Sequence, residues 1–408
     1  MAGFAARTLH ITTPHDAERE LLRVKVDPAG IALMKDKMQT RCVKLEDLLC
    51  RQANILKQEM LSLGGDAAVA RGSVACSIER TDVILIGTGK QLAGLCSKLA
   101  AQPFNLPALA PVLRRLLDET THPPAFWDTA RQRLPLHRPL IMGILNVTPD
   151  SFSDGSRYLD PQRAVDRALA MFDEGADIVD IGGESTRPGA AEVSAEEEQR
   201  RVVPVIAALS AATSRPVSID TWKGSVAQTA MDAGAAIIND ISGFTFDPAM
   251  AGVAAATGAG AVLMHTRGTP RTMQQDTAYG DLIGEVAASL QSMVESAVTA
   301  GVARERIAID PGIGFAKDAA GNLEILRRLD EFAGFGLPLL VGTSRKSFIG
   351  RTLDRDTDDR LMGTAATVAL AVERGARILR VHDVREMRDV ADMAAAVIRS
   401  GATEKDRA

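Results

Sequence analysis

The sequence predicts a (β/α)8 TIM barrel preceded by a small α/β N-terminal domain. From residue 139 to residue 400 the chain repeats a short apolar run, a polar or glycine-rich turn and an amphipathic segment, and it does so eight times. Eight such units within about 250 residues are the count and the size of this barrel. A doubly wound open sheet has the same alternation, but the chain lacks the dinucleotide glycine fingerprint, which makes the open sheet the less favoured alternative.

The first 118 residues follow another pattern and are interpreted as a small α/β domain of unknown role. Helical periodicity is clear at 45–63 and 106–117, and a pair of strands is predicted at 74–78 and 83–86. The GTGK sequence at 87–90 lacks the spacing of a phosphate-binding loop, so it is predicted to be a strand-to-helix turn. Because charged residues do not converge here, we expect this domain to pack on the barrel or to mediate oligomerisation, without a second catalytic site.

Residues 119–138 are rich in Pro, His and charge and lack periodicity, which predicts a linker or a strapping segment before the barrel domain at 139–408. The predicted barrel strands cover 140–147, 177–181, 217–220, 235–240, 260–265, 307–310, 337–341 and 377–381. Helix boundaries are indicated by Asp160 before a proline, by Ser194 with a glutamate three residues later, by Gly258 as a C-cap and by Asp383 as an N-cap.

Composition restricts the class of protein. The formal net charge of −5 argues against a nucleic-acid partner or an anionic membrane surface. No apolar run approaches 18 residues and the first residues do not resemble a secretion signal, so a cytoplasmic protein without membrane association is expected. The cysteines show no zinc-binding spacing and are expected to be buried, reduced thiols. They are Cys42, Cys50, Cys76 and Cys96.

Polar residues follow the predicted strands at their carboxyl ends, where barrels of this kind place their active sites. Asp220, Asn239 and Asp310 stand at the ends of their strands, and two carboxylates with an amide suit a flat heterocycle edged with N–H donors and ring-nitrogen acceptors. Cationic side chains at other strand ends suit an anionic group that must leave. They are Lys346, Arg380 and His382, with Arg187 from the second loop.

Eight segments, one at each strand end and in the same order, resemble the motifs of the dihydropteroate synthase family. They are NVTPDSFSDG (146–155), IGGESTRPG (181–189), SIDT (218–221), INDISG (238–243), MH (264–265), DPGIGF (310–315), GTSRKSFIG (342–350) and RVHD (380–383). The first two are specific to the family, whereas INDI, MH and RVHD alone are weak signals. The departure is the long N-terminal extension, because compact members of the family are little more than the barrel.

The resemblance implies a transferase of folate biosynthesis that condenses 6-hydroxymethyl-7,8-dihydropterin diphosphate with p-aminobenzoate and releases diphosphate. It also implies a homodimer and a Mg²⁺ ion held by Asn146. Residues implied to bind the pterin diphosphate are Thr186, Asp220, Asn239, Met264, Asp310, Phe315, Lys346, Arg380 and His382. Residues implied to enclose p-aminobenzoate are Phe152, Arg187, Pro188 and Ser347. Catalytic roles are implied for Asn146, Asp220, Lys346, Arg380 and His382.

Several neighbouring polar residues have an ordinary structural interpretation. The glutamates at 196–198 are expected to form a solvated first turn of a helix, which the helix dipole favours. Lys317 and Asp318 are expected to be solvated loop residues, and His265 is expected to satisfy a backbone carbonyl.

Two alternative functions share the predicted pocket. A pterin-binding methyltransferase-like barrel would need the Asp and Asn residues but neither the NVTPDSFSDG loop nor an Arg–His pair facing diphosphate. A catalytically silent pterin-binding protein, with the extension mediating assembly, would bind pterin without turnover. It would be expected to lack one or more of Asn146, Lys346, Arg380 and His382, all of which the chain has.

Overall fold

The computed structural model describes residues 4–148, 161–185 and 192–400. The chain divides into two compact units, Met1–His122 and Pro123–Ala408. The first unit contains an antiparallel sheet with the strand order β1-β3-β2. Its strands are β1 (Thr40–Leu49), β2 (Asp66–Val69) and β3 (Arg80–Thr88). Its helices are α1 (Pro14–Arg23), α2 (Pro28–Met34), α3 (Cys50–Ser62), α4 (Gly89–Leu99) and α5 (Leu106–Thr121).

The first unit departs from the predicted elements in two places. The strand expected at 74–78 is wrong, because this segment is a turn with Val74 exposed, and β3 pairs instead with β1 and β2. The helix expected from residue 45 begins at Cys50, since the residues before it belong to β1. The GTGK segment is a strand-to-helix turn in which Thr88 caps α4. Cys42 and Cys76 are exposed, contrary to the expectation of buried thiols.

Residues 119–138, predicted as a linker or strap, begin with the end of α5 and continue into a hairpin of the second unit. The hairpin strands are β4 (Phe126–Asp128) and β5 (Arg133–Pro135). The boundary between the two units lies at His122 and Pro123, so the structure assigns this hairpin to the barrel unit.

The second unit is a closed parallel barrel. Its strands are β6 (Leu140–Asn146), β7 (Ile178–Gly182), β8 (Val217–Asp220), β9 (Ile237–Asp240), β10 (Gly260–Met264), β11 (Ile307–Asp310), β12 (Leu340–Val341) and β13 (Ile378–Val381). They run in the order β11-β10-β9-β8-β7-β6-β13-β12, and a parallel bridge between Ile309 and Leu339 closes the sheet. The predicted (β/α)8 fold is confirmed, and all eight predicted strands are present with shifts of a few residues at their ends.

Helices surround the barrel. They are α6 (Pro161–Asp173), α7 (Ala195–Ala212), α8 (Gly224–Asp232), α9 (Met250–Thr257), α10 (Leu282–Thr299), α11 (Ala319–Arg327), α12 (Ser347–Leu353), α13 (Leu361–Glu373) and α14 (Val384–Ile398). Ser194 caps α7, and Gly258 ends α9 in the left-handed conformation. Asp383 does not cap α14 with its side chain, because its carboxylate pairs with Arg345. Asp160 lies outside the described residues. Among the described residues, none of the helices combines the length and the apolar character that a membrane span requires.

The hairpin closes the amino-terminal end of the barrel. Trp127 is fully buried among side chains that point into the barrel, including Leu140, Ile178 and Val262. Its indole Nε1 donates a hydrogen bond to the carbonyl of Arg306 at 2.8 Å, so the polar atom of the ring is satisfied. With this end filled, a ligand can enter the barrel interior only at the carboxyl ends of the strands.

We expect Trp127→Ala to lower the free energy of unfolding of the barrel unit by about 3–5 kcal/mol, because it empties a large buried volume. Urea denaturation followed by circular dichroism measures this value. Phe126→Ala in the same hairpin is the matched control, since Phe126 is 51% exposed and should lose less than about 1 kcal/mol. Equal losses in the two variants would show that Trp127 does not close the barrel.

Candidate active site

One row of residues crosses four neighbouring strands at the mouth of the barrel. Asn146 is paired with Gly182, Gly182 with Asp220, and Asp220 with Asn239 in the parallel register. Gly182 leaves space between its neighbours: a Cβ there would lie 3.6 Å from Asp220 Oδ2 and 3.8 Å from Asn146 Oδ1. Strand pairing therefore brings two amides and a carboxylate together at one place.

Arg380 and Asp180 connect this row to the barrel interior. The Arg380 guanidinium donates from Nε to Asp180 Oδ2 and from Nη2 to Asp220 Oδ2, both at 2.6 Å. The same Asp180 oxygen accepts a hydrogen bond from Asn239 Nδ2 at 2.9 Å. Burial raises the pKa of Asp220 to about 7, while Arg380 opposes the shift and the Asp180 charge adds to it. Asp180 was not predicted as a site residue, although an aspartate inside an otherwise apolar buried strand is a usable signal.

The segment after β11 forms the next wall of the site. Asp310 ends this strand and accepts the backbone N–H of Gly312 at 2.7 Å through Oδ1. Burial raises the pKa of Asp310 to about 6, and the nearby Lys346 charge opposes that shift. The ammonium of Lys346 lies 4.2 Å from the centre of the Phe315 ring. Phe315 packs in an apolar cluster with Met264, so an anionic edge stands beside a flat apolar surface.

Lys317 supports this wall from behind. It is 2% exposed, and its Nζ lies 2.9 Å from His265 Nδ1, 2.9 Å from the Phe315 carbonyl and 3.1 Å from the Gly312 carbonyl. Three ammonium protons thus meet three acceptors. The prediction of a solvated loop lysine is therefore wrong, and His265 accepts from this ammonium through Nδ1, which was not expected. Asp318 is exposed, and it caps α11.

The protonation states of Lys317 and His265 follow from their burial. Burial lowers the pKa of Lys317 to about 7. Burial also lowers the pKa of His265 to about 3, with the Lys317 charge adding to the shift. His265 is therefore neutral at neutral pH, so that its Nδ1 can accept a hydrogen bond from Nζ of Lys317.

His382 is neutral as well. Burial lowers its pKa to about 4, and the positive charges of Arg380 and Arg345 add to the shift. The hydroxyl of Ser344 accepts the backbone N–H of His382 at 3.1 Å and lies 2.9 Å from Nδ1. The hydroxyl proton is then free to point at Nδ1, which leaves the ring proton on Nε2. This burial argues against the expectation that His382 supplies positive charge and favours a neutral N–H donor instead.

A buried ion cluster fixes the carboxyl end of β7. The ammonium of Lys223 contacts the carboxylates of Glu184 and Glu198, the second at 2.6 Å, and Glu184 also accepts the backbone N–H of Val193 at 3.0 Å. Glu198 is 1% exposed, so the expected solvated helix turn is wrong at this residue. Burial raises the pKa of Glu198, which Lys223 opposes. The cluster joins the segment after β7 to the starts of α7 and α8.

Of the residues that the resemblance assigns to p-aminobenzoate, the structure describes only Ser347. Ser347 is the first residue of α12, is exposed, and directly follows Lys346. Thr186, Arg187, Pro188 and Phe152 lie outside the described residues.

The fold and the site define a (β/α)8-barrel enzyme whose pocket combines hydrogen-bond acceptors, a flat apolar wall and a cationic rim. The family model described as pterin binding enzyme matches residues 142–382, more than half of the chain. The dihydropteroate synthase of Synechocystis sp. is 51% identical over 263 residues, which are 64% of this chain and 91% of that protein. The chain belongs to the dihydropteroate synthase family of transferases.

Further similarity concerns the fold and the length of the chain. The structure of Xanthomonas albilineans dihydropteroate synthase in complex with 7,8-dihydropteroate is 40% identical, with a TM-score of 0.61, and covers 67% of this chain and 98% of that one. A probable bifunctional folylpolyglutamate synthase/dihydropteroate synthase of Halobacterium salinarum is 44% identical over 374 residues, or 91% of this chain. That match is too long for the barrel unit alone, so it includes much of the first unit. The chain spans 44% of the length of that relative.

Gly312 is required by the close approach of two backbone segments. It has a φ of +73°, and a Cβ there would lie 1.9 Å from the His265 carbonyl oxygen. We expect Gly312→Ala to lower the free energy of unfolding by more than about 1 kcal/mol. Gly252→Ala is the control: Gly252 lies in α9 with no atom within 4 Å of its Cβ position, so alanine should raise stability by about 0.4–1 kcal/mol. Urea denaturation of both variants tests the opposite signs, and a neutral Gly312→Ala would contradict the interpretation.

Proposed function

We propose that this chain condenses 6-hydroxymethyl-7,8-dihydropterin diphosphate with p-aminobenzoate to give 7,8-dihydropteroate and diphosphate. The observation that carries the proposal is the set of acceptors at one mouth, Asp220, Asn239 and Asp310, beside the apolar wall of Met264 and Phe315. A pterin ring presents N–H donors along its pyrimidine edge and a flat face. Both features match this pocket.

Buried oxygens without partners support a ligand rich in N–H donors. Among the described residues, Oδ1 of Asp220 is buried and accepts no hydrogen bond. Oδ1 of Asp180 and the hydroxyl of Ser218, which lie further inside the barrel, are also buried without partners in the described part of the chain. A buried acceptor without a donor costs about 1–3 kcal/mol, and a bound ring with N–H groups would recover that free energy.

The rim of the pocket supports a diphosphate leaving group. Arg380 uses Nε and Nη2 on the two aspartates, so its other N–H groups remain for an anion, and 21% of the side chain is exposed. Lys346 supplies a point charge above Phe315. His382 can donate from Nε2 without adding charge. Preorganised donors at a developing anion typically contribute about 3–4 kcal/mol each to lowering the barrier.

We also propose that Mg²⁺ accompanies the diphosphate and that Asn146 contributes a ligand. Asn146 fits this ion, because its amide oxygen is a hard oxygen donor that lies at the carboxyl end of β6, beside the space left by Gly182. Mg²⁺ bound with phosphates usually takes one or two protein oxygens and keeps several waters. When bound, the ion would neutralise charge on the leaving group.

The reaction then consists of one bond broken and one bond formed. The bond between the pterin methylene carbon and the diphosphate oxygen breaks, and its electron pair leaves with diphosphate. The resulting positive charge, delocalised over the ring, lies beside the Asp220 and Asp310 carboxylates, which favour it. The amine of p-aminobenzoate attacks the methylene carbon and loses a proton to solvent. No covalent intermediate with the protein is required. Assembly as a homodimer and a cytoplasmic location remain predictions.

The direct test is diphosphate release by the purified protein given both substrates and Mg²⁺, with detection of 7,8-dihydropteroate by mass. We expect product from the wild type, and we expect Asp310→Ala to weaken pterin binding by at least about 2 kcal/mol, or about 30-fold in Kd. Asp330→Ala is the control, because Asp330 is a 57% exposed carboxylate of the same unit. Its pterin Kd should not change.

Two outcomes would contradict this proposal. Pterin binding without product in the wild type would favour the methyltransferase-like or the silent alternative, and methyl donors should then be supplied. An unchanged pterin Kd in a folded Asp310→Ala variant would remove Asp310 from the binding site.

The pKa values of the buried carboxyls predict how activity depends on pH. Burial raises the pKa of Asp220 to about 7 and that of Asp310 to about 6, so both groups take up protons as the pH falls through this range. A protonated carboxyl accepts fewer N–H donors and does not favour a cation. We therefore expect kcat/KM for the pterin diphosphate to fall from about pH 7.5 to about pH 5.5, which reports the free enzyme. A rate profile corrected for the phosphate titration of the substrate tests this, and a flat profile would contradict it.

A further inference from the structure

We propose that Asp180 is a positioning residue for both halves of the substrate pocket. Through one carboxylate oxygen it turns the Asn239 amide so that the carbonyl oxygen faces the ring, and it holds the Arg380 guanidinium on the diphosphate side. Asp180 is the middle residue of β7 and is fully buried, so it acts through its neighbours. The inference rests on the proposed function of the site.

The orientation of Asn239 follows from the chemistry of its partner. An ionised carboxylate only accepts hydrogen bonds, so the Asn239 group 2.9 Å from Asp180 must be the NH2. The carbonyl oxygen is then directed away from Asp180, and no hydrogen bond among the described residues takes it up. Without Asp180 the amide could rotate and present NH2 to the ring. Asp180 therefore makes Asn239 an acceptor, like Asp220 and Asp310.

The orientation of Arg380 follows from a competition between two carboxylates. A guanidinium and a single carboxylate prefer a bidentate pair that uses both oxygens. In this site Asp180 engages Nε, so only Nη2 reaches Asp220, and it takes a single oxygen. The second Asp220 oxygen stays without a partner and can accept from the ring. If Asp180 were absent, Arg380 could close on both oxygens of Asp220 and remove that acceptor.

A purely stabilising role does not explain these contacts. Within the described chain, Oδ1 of Asp180 and the adjacent hydroxyl of Ser218, its register partner in β8, are buried without hydrogen bonds. Unpartnered buried polar atoms lower stability, and apolar residues of similar volume often replace buried ion pairs without loss. The arrangement lowers stability and gives the pocket a fixed pattern of acceptors.

Calorimetry with two separate probes tests the proposal without requiring turnover. The probes are 6-hydroxymethylpterin for the ring side and inorganic diphosphate with Mg²⁺ for the anion side. We expect Asp180→Ala to raise the Kd of both probes by about 10-fold or more. Asp180→Asn keeps an oxygen at the same place and should restore the pterin Kd to within about threefold of the wild type. Asn239→Ala should weaken the pterin alone.

Asp177→Asn is the matched control. Asp177 directly precedes β7 and pairs with Arg138 and Arg388, but it lies at the opposite end of the barrel strand. This variant should lose stability in urea and leave both Kd values unchanged. If Asp180→Ala does not fold, Asp180→Ser, which also removes the carboxylate, takes its place.

The outcomes separate the inference from the function on which it rests. Failure of the wild type to bind 6-hydroxymethylpterin would overturn the proposed function. Wild-type binding with unchanged Kd values in folded Asp180→Ala would overturn only the positioning role. Loss of one probe alone would also overturn it, because one oxygen of Asp180 contacts both partners. If Asp177→Asn and Asp180→Ala raised the Kd values equally, the change would reflect general destabilisation, and the positioning role of Asp180 would be overturned.

Discussion

Closure of the parallel sheet is the constraint on which the rest of the structure depends. Once eight strands run in one direction around a ring, every strand delivers its carboxyl-end residue to the same mouth, and alternation decides which side chains point inward. Residues distant in sequence, such as Asn146 and Asp310, thereby become neighbours of one pocket. Trp127 fills the opposite end, so the barrel offers one opening.

Burial then determines what these side chains can do. Inside the barrel Asp180 and Asp220 share the single guanidinium of Arg380, so the local charge favours a cation. Burial raises the pKa of Asp220, Arg380 opposes the shift, and the Asp180 charge adds to it. A site that releases diphosphate also has to attract an anion. The structure meets both requirements with two cations: Arg380 lies between the carboxylates inside the barrel, and Lys346 starts a helix at the rim.

The sequence was sufficient for the barrel because apolar runs and caps are local signals, and eight of them in order leave few folds. It was also sufficient for Asp220, Asn239 and Asp310 as strand-end residues. It was insufficient for Asp180 and Lys317, whose importance depends on partners far away in the chain. The charge of His382 could not be predicted from the sequence either, because it depends on how deeply the side chain is buried. In the first unit the strand at 74–78 was wrong, because pairing depends on a distant partner that no local pattern reveals.

The two histidines near the site are neutral, so the positive charge that holds the anion must come from other residues. His382 and His265 are neutral because burial lowers their pKa values well below 6.5, and Lys317 is committed to three acceptors that fix the Phe315 segment. Arg380 and Lys346 therefore supply the positive charge for the leaving group. A guanidinium does not deprotonate in proteins, so the charge of Arg380 is independent of pH. The buried groups with pKa values near neutrality, which are the Asp220 and Asp310 carboxyls and the Lys317 amine, then determine how the site responds to pH.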